Sequence, residues 1–353
     1  PFPLINRLYM EYKIYVDERD INDATSYYIA IIKETIKING NSCEIVYSLD
    51  QVLLTDIVVV IKVTSAFRVY RRYLKQRLIV WLQGIQPEEM LISSTPLFYK
   101  IFYYSALRLL EWFTLRKADL LLLVSDSMRR HYEKVYGYKK DNFFLMPCFN
   151  LALSEKAFYV KDKYTHPSFV YAGSLDNWQC FSEILQTYKH IRLLLPNATL
   201  TVFTAEQNKA EFECKEKYGL KDVVIKYIPQ DRIQEELSQF KYGFILRKDI
   251  SVNNVATPTK LNSYMSAGII PIVSESLNDF INHSYLCKYI IRINNIEAFE
   301  NNAVQIKKFE ERKLNAVDVL DDFNKLFMSY YNKENYMNEL SEVLSNYESI
   351  KFD

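Results

Sequence analysis

Two cations mark the run between Tyr242 and Ser274. Arg247 closes an apolar stretch, YGFILR, and Lys260 follows a polar loop, KDISVNNVA, inside TPTKLNSYMSAG; a second apolar run, IIPIVS, comes next. The order predicts strand, loop, helix, strand. Pro258 suits a first helical turn, Thr257 is a candidate N-cap, and Gly268 stops the helix. In an open parallel sheet, ligands bind beyond the carboxyl ends of strands and face helix N-termini. Two cations beside unpaired helix N–H groups suit a diphosphate there.

This stretch resembles the donor-binding segment of GT-B glycosyltransferases of the retaining, family-4 type, through Pro258, Thr259, Lys260, Tyr264, Gly268 and Pro271 behind the arginine-ended strand. Members of that family carry Glu before the tyrosine to hold the ribose hydroxyls, whereas this chain has Ser263. The resemblance implies an enzyme of hexosyltransferase type. It would move a sugar from a nucleotide-sugar to the hydroxyl of a glycan or lipid-linked glycan, with retention, as in bacterial polysaccharide biosynthesis. The nucleotide-sugar is then a substrate; no cofactor and no metal are expected. Arg247 and Lys260 take the catalytic role, stabilising the charge on the departing diphosphate.

The same resemblance assigns the remaining contacts. YAGSLDNWQ looks like the family's glycine loop, with Gly173, Ser174 and Asn177 at the donor; an ordinary βα turn explains it equally well. Asn253 and Asn254 reach the sugar or phosphates, Pro258, Thr259 and Ser263 lie at the helix start, and Tyr227 to Gln230, including Pro229, face the base. In the first half, WLQGIQPEE resembles a loop that places Gln83, Gly84, Glu88 and Glu89 at the acceptor. The alternative is that both carboxylates merely open a helix, where the macrodipole favours them. In SDSMRRHY, Ser125 and Ser127 either touch a ligand or cap a helix. His131 reads as a helix-surface residue, and the four histidines lack companions at metal-ligand spacing.

The elements that must position these residues alternate along the chain. Strands are expected at 12–16, 44–48, 56–62, 77–83, 119–125 and 142–148. After a polar joint they recur at 169–173, 199–204, 223–228, 242–247, 269–274 and 289–293, with helices between most pairs. The expected fold is therefore α/β, and the resemblance makes it GT-B, with two Rossmann-like doubly wound domains facing across a cleft. An N-terminal acceptor-binding domain spans 1–150 and a nucleotide-sugar-binding domain 151–330. A helix in 331–353 would return to the first domain.

Composition agrees with a two-domain chain. At 353 residues, with 49% apolar and 25% charged residues, two cores can form. Seven glycines and no Gly-rich fingerprint argue against a dinucleotide or Walker loop. Five scattered cysteines, none in C-x-x-C, read as thiols in a reducing compartment. No signal peptide or run of 18 apolar residues is seen, so a cytoplasmic protein is expected. Residues 1–150 hold 20 Lys/Arg against 16 Asp/Glu, and the other 203 hold 24 against 27.

The basic excess lies in Lys62, Arg68, Arg71, Arg72, Lys75 and Arg77, with no intervening acid. This segment, with the aromatic helix 97–117, admits salt-reversible docking on an anionic membrane at the inner face of the cell, or a solvated helix face. No motif supports nucleic acid. The aromatic residues of 97–113 are expected to pack in the core. Two rival functions stay open: a noncatalytic GT-B partner or regulatory subunit, and a nucleotide-sugar epimerase of the same fold. The donor nucleotide, sugar, acceptor and linkage are not written in the sequence.

Overall fold

The structure, a computed structural model, describes residues 10–349 except 22 and 94. The irregular lead-in expected at 1–11 lies almost wholly outside them. Two compact units form, one from the residues up to Cys148 together with those from Asn332 onward, the other Phe149–Tyr331.

The first unit runs β1 (Glu11–Tyr15), α1 (Asp23–Ile38), β2 (Ser42–Val46), β3 (Ile57–Val60), α2 (Val63–Arg72), β4 (Arg77–Leu82), α3 (Gln86–Ile92), α4 (Leu97–Lys117), β5 (Leu120–Leu123), α5 (Asp126–Tyr136) and β6 (Phe143–Leu145). All six strands are parallel, in the order β2-β1-β3-β4-β5-β6. The IVVV of β3 and LLLL of β5 are buried at every position, as a parallel sheet covered on both faces requires.

The second unit repeats the plan. It contains β7 (Ser168–Ala172), α6 (Phe181–Leu194), β8 (Thr199–Phe203), α7 (Gln207–Glu211), β9 (Val224–Lys226), α8 (Ile233–Leu237), β10 (Tyr242–Ile245), α9 (Ser251–Val255), α10 (Thr259–Ser266), β11 (Ile270–Ser274), α11 (Asn278–His283), β12 (Ile291–Ile293), α12 (Phe299–Glu310) and α13 (Ala316–Ser329). Its parallel sheet has the order β12-β11-β10-β7-β8-β9. Phe169 stacks on Tyr242 and Phe244 at 5.0 and 5.5 Å in its core. The last helix, α14 (Lys333–Ser349), belongs to the first unit and lies along α1. There the buried Arg77 guanidinium donates to the Tyr347 hydroxyl at 2.9 Å and to its carbonyl at 3.0 Å.

Three local expectations are corrected. The polar loop after β10 contains the short helix α9, and Pro258, not Thr257, caps α10, where it has no side-chain hydrogen bond to give. The aromatic helix is not a core helix at its start: Leu97, Phe98, Tyr99, Ile101, Phe102 and Tyr103 are all exposed. Periodicity misled because helix α4 is apolar on most sides, whereas only its second half, around Thr114 and Leu115, is sunk in the unit. Third, His131 is no surface residue; its side chain is 12% exposed and Nε2 sits 3.4 Å from Glu88.

That second half buries a carboxyl group. Glu111 is fully enclosed and accepts hydrogen bonds from the hydroxyls of Tyr136 at 2.6 Å and Tyr132 at 3.3 Å. Burial raises its pKa from 4.5 to about 8, against the lowering effect of the two tyrosines. A raised carboxyl pKa gives stability that is fully present below 4.5 and is lost as pH climbs through 8. Glu111→Gln cannot ionise. Its stability relative to wild type should therefore improve by at most about 1.4 kcal/mol per pH unit across this window and level off above it. Urea melts at closely spaced pH values measure this; a difference independent of pH would refute it.

Candidate functional site

Each sheet reverses its strand order once, and the crevice beyond such a switch point is where open α/β sheets hold ligands. In the second unit the reversal lies between β7 and β10. The chain leaves those strands through Gly173 and Arg247, and α10 starts nearby with first-turn N–H groups that have no intrahelical acceptor.

Arg247 is 4% exposed. Its guanidinium donates to the Leu246 carbonyl at 2.8 Å and the Gln179 carbonyl at 3.5 Å. Lys260, on the first turn of α10, donates to Gln179 Oε1 at 2.7 Å and lies 4.9 Å from the centre of the Tyr171 ring. Gln179 thus serves both cations. Among the described residues neither is paired with a carboxylate, whereas neighbouring Lys248 is paired with Glu183 at 3.0 Å. Burial pulls Arg247 below its ordinary pKa. Burial and then the like charge of Arg247 pull Lys260 well below its own, with Asp176 opposing. Two such cations without a counter-charge are costly, and an anion would relieve both.

The surroundings leave room for this arrangement. Gly173 has φ 140°, and a Cβ on it would collide with the Lys260 ammonium. The Tyr264 hydroxyl accepts the Ala172 N–H at 2.8 Å, and its ring fills the space over Gly243 where a side chain would stand. Asn262 Oδ1 accepts the N–H groups of Asn150 and Leu151 at 3.0 and 2.8 Å, and its amide donates to the Leu151 carbonyl at 2.9 Å. These contacts fix α10 and therefore Lys260.

A cavity of about 350 Å³ opens here, lined among others by Gly173, Ser174, Tyr227, Thr259, Lys260 and Ser263. The structure therefore gathers six of the sequence-named donor and catalytic residues around one space. Arg247 lines a separate cavity of about 530 Å³ with Ser274, Ser276 and Asn295. Asn177, Pro229 and Pro258 do not line the first space. Asn253 is buried and donates to the Lys248 carbonyl at 2.9 Å, and Asn254 donates to Asp249 at 2.9 Å, so both organise the α9 loop itself. Ser263 Oγ donates to the Thr259 carbonyl of its own helix at 3.2 Å.

The first unit has a cavity of about 470 Å³ where Gln83, Gly84 and Glu89 meet Asp20, Lys62 and Gln86. The Glu89 carboxylate occupies the space a side chain on Gly84 would need. Glu88 turns elsewhere, to Arg108 at 3.5 Å and His131 at 3.4 Å. Ser125 is buried, and its Oγ accepts the Met128 N–H at 3.0 Å, the capping alternative. Ser127 lines neither cavity.

Sequence reasoning missed Gln179, Asn262 and Tyr264 as the residues that hold the cations in place. Gln179 stood in the DNWQ turn, and Tyr264 stood in the matched helix, each without an assigned task. Asn262 had no signal, because its partner is 111 residues away. Among the described residues no three His, Cys, Asp or Glu side chains gather as metal ligands.

No family model matches the sequence, and no curated protein sequence matches it. Solved structures match its fold. A sucrose-phosphate synthase from Thermosynechococcus elongatus shares 11% identity at a TM-score of 0.67, over 96% of this chain and 98% of that one. HepE from Anabaena, solved in complex with UDP and glucose, gives 11% and 0.67 over 96% and 100%. A glycosyltransferase from Rickettsia africae gives 9% and 0.65 over 98% and 100%. The fold is GT-B, as in the glycosyltransferases it resembles.

The Gly173–Lys260 contact can be tested alone. Gly173→Ala places a side chain at a strained φ and pushes Lys260 off Gln179, so it should cost about 1–3 kcal/mol of stability. Adding Lys260→Ala removes the collision but not the backbone strain. The double variant should then be more stable than the two single losses predict, by about 0.5 kcal/mol or more. Strict additivity in urea denaturation would refute the contact.

Proposed function

We propose that this chain is a glycosyltransferase that binds a nucleoside-diphosphate sugar in the second unit's cavity and transfers the sugar, with retention, to an acceptor hydroxyl held by the first unit. The observation that carries this reading is the Arg247–Lys260 pair, Arg247 buried and Lys260 half-buried at the cavity, which has no carboxylate partner among the described residues and sits at the switch point beside the start of α10. HepE, of the same fold, is solved with UDP and glucose, which supports the donor class.

The residues then act as follows. The diphosphate lies against Lys260, the N–H groups of Thr259 and Lys260, and the backbone at Gly173, whose missing side chain permits close approach. Arg247 reaches the same charge from the strand end. As the bond from the anomeric carbon to the diphosphate oxygen breaks, its electron pair leaves with the diphosphate, the acceptor oxygen bonds to the anomeric carbon on the same face, and the acceptor's proton passes to the departing diphosphate. The preorganised cations hold that charge better than water does. Each donor of this kind is worth about 3–4 kcal/mol of barrier. No metal is required in this scheme, because the protein supplies the positive charge. Tyr227, 59% exposed at the cavity rim, offers its ring to the base. In the first unit, Gln83 and Glu89 are placed to hold acceptor hydroxyls.

A second reading has one observation in its favour. Ser263 spends its hydroxyl on Thr259, so the ribose lacks the acid that the resembling family uses. A GT-B partner subunit that binds no donor would tolerate this.

Titration with UDP, GDP, CDP and CMP sugars separates the two readings. The enzyme reading expects at least one diphosphate sugar to bind, with Arg247→Ala and Lys260→Ala each weakening it roughly tenfold to a hundredfold through loss of a charged hydrogen bond. Binding of none supports the partner subunit, and unchanged affinity in both variants overturns the site. Transfer activity should survive EDTA. Loss that Mg²⁺ or Mn²⁺ restores would contradict the metal-free scheme.

A further inference from the structure

Helix α4 begins with an apolar end that the first unit does not cover. Phe98 is 80% exposed, Leu97 73% and Phe102 65%, and Tyr99, Ile101 and Tyr103 are exposed as well. At 100° per residue these six side chains fan over about 240° of the circumference of the first two turns, and Lys100 holds the remaining arc. An exposed apolar arc of that width is about twice the stripe of about 100° with which a helix packs on a single neighbour. The flat face of a second protein covers one stripe of such an end and leaves the rest wet, whereas a lipid interface surrounds it.

Charge points the same way. From Met90 to Leu110 the sequence has Lys100 and Arg108 and no acid. Lys100, on the arc between Tyr103 and Leu97, donates to the Leu91 carbonyl of α3 at 3.0 Å, which keeps a cation beside the exposed rings. Tyr and Phe beside a cation form the usual composition of an interfacial anchor. Two turns rise only about 10 Å against a hydrocarbon core of about 30 Å, so the end can enter the interface but cannot span it. Among the described residues no helix is long and apolar enough to cross a membrane.

The basic run at 62–77, by contrast, is partly spent inside the unit. Lys62 pairs with Asp20 at 2.5 Å, Arg72 with Asp50 at 2.7 Å, and Arg77 is buried against Tyr347. Arg68, Arg71 and Lys75 remain exposed.

We propose that the start of α4, residues 97–103, inserts into the headgroup region of an anionic lipid bilayer and anchors the protein peripherally. The anchor is mainly apolar, and Lys100 with the exposed Arg68, Arg71 and Lys75 adds a smaller electrostatic share. Salt therefore weakens the attachment without abolishing it. The proposal does not depend on the transferase reading, since it needs no nucleotide.

Cosedimentation of the full chain with phosphatidylglycerol-containing vesicles, at low and high ionic strength, tests it. Wild type should pellet at both. Phe98→Ser with Phe102→Ser should weaken partitioning about tenfold or more, and Arg68→Ser with Arg71→Ser and Lys75→Ser by a smaller factor. Both sites are exposed, and unchanged thermal unfolding verifies that the variants fold. Sedimentation velocity without lipid provides the other arm. Absence of vesicle binding by wild type, binding unchanged in the double Phe variant, or complete release by salt would overturn the proposal. So would a dimer that the double Phe variant dissolves while lipid binding is absent.

Discussion

Two positive charges with no carboxylate partner among the described residues, Arg247 buried and Lys260 half-buried at a cavity, set the terms for the second unit. Arg247 and Lys260 rely on weak acceptors: a strand-end carbonyl, the carbonyl and amide oxygen of Gln179, and the face of Tyr171. None neutralises a charge. The surrounding structure must hold the cations there against their preference for water, and much of its sequence serves that end. Gly173 sits at φ 140° with the Lys260 ammonium in the space a Cβ would take, and the Tyr264 ring stands where a side chain on Gly243 would be.

The same constraint explains how firmly α10 is seated. Asn262 ties it to the backbone at Asn150 and Leu151, and Tyr264 ties it to β7. At its other end the buried Lys163 ammonium donates to the Ala267, Ser238 and Ala157 carbonyls, drawing the end of α10 toward α8 and the preceding loop. An eight-residue helix has little stability of its own. These side chains supply what propensity does not.

The two units make an informative internal comparison. Each has a cation two residues beyond the strand across its switch point, Lys62 after β3 and Arg247 after β10. Lys62 is neutralised by Asp20, and its cavity also holds the Glu89 carboxylate. Among the described residues Arg247 has no such partner, and it is accompanied by a second cation, Lys260. One scaffold thus presents a paired lysine in a mixed-charge pocket, and elsewhere two cations that no described carboxylate neutralises, although Glu206 lines the cavity of Lys260. The difference comes from a few loop residues on a common backbone plan.

What the sequence determined by itself was the alternation of strands and helices and the identity of the two cations. Buried parallel strands such as IVVV and LLLL, and a helix bounded by Pro258 and Gly268, are local signals. Arg247 and Lys260 could be named because they sit at fixed offsets from those signals. Tertiary structure alone decided which candidates converge. Asn253 lies in the matched segment yet turns inward, and Glu88 and Glu89 are chain neighbours that face different partners. It also decided that Phe98 and Phe102 lie outside, since an aromatic helix reads the same in sequence whether its end is packed or bare. Spacing records which face a residue occupies; only the folded chain determines what, if anything, lies against that face.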